Sequence, residues 1–139
     1  MRQTSFLFLV TLLGVGLVAS LLTDAAARDK KKADRVFEMR TYTTHPGRLD
    51  ALHARFRDHT NKIFVKHGME LVGYWTPTDE ETSSNTLIYI LAHDSREAAE
   101  KSWAGFRDDP DWKKAAADSR KNGRLVEKVV SRFLSATDF

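Results

Sequence analysis

Cysteine is absent from the 139 residues, which removes disulfides, thiolate metal sites and cysteine nucleophiles together. No GxSxG elbow, GxxxxGK phosphate loop or HExxH zinc helix occurs, so three large enzyme classes lose their usual signature. A strong charge of either sign is lacking too. The formal net charge is +3, a mild excess on a well-mixed surface that gives no reason to expect nucleic acid as a partner. Hydrophobic residues at 42% and charged residues at 29% exclude both a disordered chain and a multi-span membrane protein.

The amino terminus has the three parts of a secretory signal: Arg2, an apolar stretch over residues 6–22, and Ala25-Ala26-Ala27 at an Ala-x-Ala site. Removal of residues 1–27 leaves one small domain's worth of chain, starting at Arg28 and exported to the periplasm or beyond. The alternative is an uncleaved membrane anchor over residues 6–22, which is near the lower length limit for a span. Residues 28–35 are a charged linker (RDKKKADR), a solvated tether with the option of touching an anionic membrane surface. The folded domain then covers residues 36–139.

From Val36 the pattern alternates. Phe37 and Met39 share one face, and Glu38, Arg40 and Tyr42 the other, which predicts a strand with Phe37 and Met39 against the helices. Pro46-Gly47 punctuates. Leu49, Leu52, Phe56, Ile63 and His67 then predict an amphipathic helix over 48–66, stopped at Gly68. Residues 70–76 (ELVGYWT) and 86–92 (TLIYILA) read as strands joined through a polar loop, hence an antiparallel hairpin. Asp94 with Glu97 resembles a capping box opening a helix that carries Trp103 and Phe106. Asp109-Pro110 restarts the helix, with aspartate as cap and proline at the first position. Residues 125–135 supply a last strand. The order β-α-β-β-α-β predicts an α+β, ferredoxin-like domain: a four-stranded antiparallel sheet with helices on one face.

The helices cover one face of that sheet. Ile88 and Ile90 alternate with Leu87, Tyr89 and Leu91, so both faces of the third strand are apolar. Such a second face is not left in water, and a second copy of the same sheet is the simplest cover. With Glu38 and Arg40 assigned to the uncovered side, they are expected between the two sheets, in an inter-sheet cavity.

Two stretches resemble the NIPSNAP family: residues 37–43 (FEMRTYT) with Pro46-Gly47, and residues 102–107 (SWAGFR) leading into Asp109-Pro110-Asp111-Trp112. Gly73-Tyr74-Trp75 and the apolar strand at 87–91 fit between them, so the likeness spans about residues 35–139. The resemblance implies a dimeric α/β-barrel of two ferredoxin-like protomers. It implies no settled catalytic set. Relatives by fold include cofactor-free monooxygenases and haem-degrading enzymes.

The candidate ligand-binding residues are Glu38, Arg40, Tyr42, Trp75, Tyr89 and His93. Arg40 would hold an anionic or carbonyl group, Tyr42 would give a hydrogen bond, and Trp75 or Tyr89 would form the wall. His93, ending its strand, would carry a proton at the pocket mouth. The competing reading makes Glu38–Arg40 an ion pair that fixes the dimer. The five histidines include no i, i+4 helical pair, and Asp108, Asp109 and Asp111 lack EF-hand spacing, so no metal and no cofactor is expected. The leading expectation is an exported homodimer binding a small molecule or a protein. The alternatives are a cofactor-independent monooxygenase- or isomerase-like enzyme using the inter-sheet cavity, and a purely structural unit.

Overall fold

The computed structural model describes residues 35–139; the signal expected over 1–27 and residues 28–34 of the expected linker lie outside the described residues. The elements are β1 (Val36–Thr44), α1 (Leu49–Arg55), a π-helical turn (Phe56–Thr60), α2 (Asn61–Lys66), β2 (Glu70–Trp75), β3 (Thr86–His93), α3 (Arg96–Asp108), α4 (Pro110–Asp118) and β4 (Val126–Ser135). The sheet runs β2-β3-β1-β4 with every neighbouring pair antiparallel, so the two β-α-β halves interleave in the ferredoxin-like manner. No helix among the described residues is long and apolar enough to cross a membrane.

The core lies between sheet and helices. Leu49, Leu52, Phe56, Ile63 and Phe64 from the first helical layer meet Leu87, Tyr89 and Leu91 of β3 and Phe106 of α3. Rings of Phe56, Phe64, Tyr74 and Tyr89 lie edge-on, tilted or stacked at centroid distances of 5.1–6.1 Å, the spacing at which aromatic quadrupoles attract.

The first helix departs from the even stripe that its sequence predicts. At the π turn the Asn61 N–H bonds the Phe56 carbonyl, one residue further back than in an α-helix. The buried Thr60 hydroxyl donates to the Arg55 carbonyl at 3.2 Å. The extra residue rotates the apolar stripe, so Ile63 and Phe64 take the core positions and His67 is left half-buried at the end. The α3 cap also differs from the expected Asp94–Glu97 box: the Ala98 N–H is accepted by Ser95 Oγ at 3.1 Å, because Ser95 has the extended backbone that a cap requires. Asp109 and Pro110 act as expected, with the Asp111 N–H donating to Asp109 Oδ1 at 2.8 Å and Pro110 in the first turn of α4.

Asp109 does more than cap. Its other oxygen meets His67 Nε2 at 2.7 Å and Lys66 Nζ at 2.8 Å, tying the end of α2 to the α3–α4 joint. These partners hold the Asp109 carboxyl well below the usual range: Lys66 and His67 lower it more than burial raises it. The His67 ring reaches Asp109 across Gly105, where a Cβ would lie 2.6 Å from His67 Nδ1. Gly105→Ala must therefore push the ring off Asp109. We expect a loss of about 2 kcal/mol in urea unfolding, although alanine is the better helix former. In a His67→Ala background the same substitution should become neutral or mildly stabilising. An equal loss in both backgrounds would disprove the steric account.

The strand parity is the reverse of the sequence expectation. Glu38, Arg40 and Tyr42 point toward the helices, as the contacts of Trp103 with Glu38 and Arg40 and of Phe56 with Tyr42 show. Phe37 and Met39 therefore lie on the uncovered face, with Ala92 opposite Phe37 and Ile90 opposite Met39 on β3, Ile88 two residues along on the same face, and Leu134 beside Phe37 on β4. Side-chain polarity misled here because Glu38 and Arg40 pair with each other under the helices, with Trp103 of α3 and Ser131 of β4 completing the contacts. The uncovered face is accordingly more apolar than expected, and it holds neither Glu38 nor Arg40.

Candidate functional site

Glu38 is 2% exposed and gathers four side chains. Oε1 accepts from Arg40 Nη1 at 2.7 Å and from Ser131 Oγ at 2.6 Å; Oε2 accepts from Trp103 Nε1 at 2.6 Å. His93 Nε2 stands 3.3 Å from Oε2, close but without hydrogen-bond geometry. Burial works to raise the Glu38 pKa, yet the neighbouring His93 ring and the donors of Ser131, Trp103 and Arg40 outweigh it and bring it down to about 2. Arg40 lies over the Trp103 indole, 4.2 Å from guanidinium carbon to ring centre. Despite burial, Tyr42, Tyr89 and Glu38 keep its pKa raised.

The network continues along the sheet. Tyr89 Oη donates to Tyr42 Oη at 3.1 Å. Tyr89 is fully buried, and burial pushes its phenol pKa well up, so it remains a neutral donor. The Tyr42 hydroxyl, having accepted this bond, has its own proton left for another acceptor. Tyr42 forms part of the wall of a pocket of about 290 Å³, together with Arg55, Trp112, Arg120, Arg124 and Glu127.

Five of the six residues singled out in the sequence thus come together: Glu38, Arg40, Tyr42, Tyr89 and His93. They meet between sheet and helices, so the inter-sheet location expected for Glu38, Arg40 and Tyr42 is corrected with the strand parity. His93 is buried, with Nδ1 unpartnered, and does not stand at a pocket mouth. Trp75 is apart from the rest. It is 50% exposed near the edge of the sheet, its ring folded over Gly73, where a Cβ would lie 2.6 Å from the indole. It borders a different pocket of about 370 Å³ with His53, Arg57, Asn61 and Tyr74.

Sequence reasoning missed Trp103 and Ser131 as partners of Glu38, and Arg55 altogether. Trp103 carried a signal, since an indole N–H in a buried helix face needs an acceptor. Arg55 carried one too: it stands three residues after Leu52 on the buried side of the helix. The contact of Trp103 with Glu38 and Arg40 joins, in space, the two stretches of sequence that carry the family resemblance.

Residues 37–139 match the NIPSNAP family model. The chain belongs to the NIPSNAP family. A NIPSNAP-like domain protein of Burkholderia xenovorans has a similar structure, at 16% identity and a TM-score of 0.67, covering 77% of this chain and 89% of that one. A NIPSNAP family protein of unknown function from Agrobacterium tumefaciens aligns at 24% identity and a TM-score of 0.65, covering 77% and 92%. SnoaB, a cofactor-independent oxygenase of Streptomyces nogalater, shares the fold at 16% identity and a TM-score of 0.53, covering 77% and 97%. Identities this low carry the fold and no chemistry. No curated protein matches the chain.

Proposed function

We propose that this NIPSNAP protein is an exported homodimer that binds a small organic molecule in the pocket beside Tyr42. The observation that carries the reading is the hydroxyl chain from buried Tyr89 to Tyr42, which ends on the wall of that pocket with one proton undirected. A rigid donor at the back of a half-apolar recess is the usual way a site orients a ligand. The Glu38–Arg40–Trp103 network supports it from behind, fixing the strand on which Tyr42 stands. Homodimerisation is supported by the uncovered face, where Phe37, Met39, Ile88 and Ile90 form an apolar centre and Lys128 and Arg132 lie toward one edge.

A panel of aromatic fragments, neutral and charged, followed by NMR shifts of the Trp112 indole and Val129 methyl groups, tests the binding reading. At least one fragment should perturb both residues, and Tyr42→Phe should weaken it about tenfold through loss of one hydrogen bond. The variant also leaves Tyr89 Oη without its acceptor, so about 1 kcal/mol of stability should go with it. If no fragment moves either residue, the reading falls.

A further inference from the structure

The pocket beside Tyr42 is built from cations that have no carboxylate of their own. Arg55 is 8% exposed. Its Nη1 reaches only Ser119 Oγ at a long 3.4 Å, and its buried Nε has no partner. The guanidinium lies 5.2 Å from the centre of the Trp112 ring. Arg120 Nε is used by the Ala116 carbonyl at 2.7 Å, which pins the side chain at the end of α4. Arg124 adds a third cation at the rim. Among the described residues none of the three has an acidic side chain within 4.0 Å. Glu127, also on the wall, offsets one charge and leaves two.

An arginine is protonated at any ordinary pH, so a buried one must be compensated or bear a desolvation cost. Here burial draws the Arg55 pKa down; Tyr42 opposes this, and the neighbouring Arg120 cation adds to it. The π turn begins at the next residue, Phe56, and releases the Arg55 carbonyl to Thr60. Arg55 thus stands immediately before an irregularity of the kind that often marks functional positions.

We propose that the pocket selects small organic oxyanions, a carboxylate or a phosphate monoester on a flat apolar body. This rests on the binding reading given above. The oxyanion would take the fork of Arg55 with Arg120, the Tyr42 hydroxyl would donate a further bond, and Trp112 with Val129 would receive the apolar part. A volume of about 290 Å³ limits the body to roughly one aromatic ring.

The probes are benzoate, phenylphosphate and benzamide, titrated into the full protein in phosphate-free buffer and followed by NMR shifts at Trp112 and Val129. We expect at least one anion to bind about tenfold or more tightly than benzamide, with affinity falling as salt is added. Benzoate against phenylphosphate tells which oxyanion is preferred. The double substitution Arg120→Gln and Arg124→Gln, on exposed side chains, should remove most of the preference for the anion, read as the ratio of anion to benzamide affinity in the same variant. Arg55→Gln should abolish it; should that variant unfold, the double variant still decides. Equal binding of all three probes, or benzamide alone, would overturn the oxyanion inference and leave the binding reading standing. If none of the three binds, the oxyanion inference is overturned, and the wider panel decides the binding reading separately.

Discussion

Replacing Glu38 with alanine is expected to cost about 3–5 kcal/mol of stability, the range found when one partner of a buried ion pair is removed. The loss has several parts. Arg40 would keep its charge under the helices, 18% exposed, and Trp103 Nε1 and Ser131 Oγ would each lose a short bond to the carboxylate. Glu38→Gln keeps the shape and an acceptor, and should cost about 1–3 kcal/mol at pH 7. The two forms should respond differently to acid. Glu38 has a folded pKa of about 2 against an ordinary 4.5. Its contribution is therefore complete above 4.5 and is lost as pH falls toward 2, amounting to about 3 kcal/mol. Asp109 and Asp118, also lowered in the fold, shift both proteins in the same sense. The difference between wild type and Glu38→Gln isolates Glu38. Urea unfolding at pH 7, 5, 4 and 3 should show the gap narrowing below pH 4.5, and a constant gap would mean that the carboxylate is not held charged by its neighbours.

That network also explains why the site was only half legible in the sequence. The strands were readable because period-two alternation at 36–42 and the apolar run at 86–92 obey local rules, and Asp109-Pro110 named a helix start that the structure contains. Which side of β1 faces the helices is not a local property. Phe37 and Met39 look like core, and Glu38 and Arg40 look like surface, until Trp103 arrives from 65 residues away to donate its indole N–H to the carboxylate. On β3 both parities are apolar, so the neighbouring strand could not break the tie. Arg55 was hidden for a related reason. An arginine on a helix face is assigned to solvent by composition, although its place three residues after Leu52 sets this one on the buried side, immediately before a π turn that no periodicity announces. The polar residues that matter here are those whose compensation is long-range, and a single sequence gives no register between distant segments.

The reversed parity sharpens what should happen when a charge is placed on the other face. Ile90 sits mid-strand on β3 beside Met39 of β1 and Gly73 of β2, at the apolar centre of the uncovered surface. Within one protomer it is only half-buried, so Ile90→Lys should change the unfolding free energy of the isolated domain by no more than about 1 kcal/mol. In a symmetric sheet-to-sheet dimer the same substitution acts twice, since each copy brings its own lysine into the joint interface. Two like charges removed from water without partners should raise the dissociation constant by about a thousandfold or more, near 4 kcal/mol. Sedimentation velocity at micromolar concentration should then show wild type as a dimer and Ile90→Lys as a folded monomer. Lys128→Glu, toward the edge of the same face, should leave the dimer intact. A wild-type protein that sediments as a monomer would refute the paired-sheet arrangement. The pocket beside Tyr42 would be unaffected, because it lies on the helical side of the sheet and needs no second copy to close it.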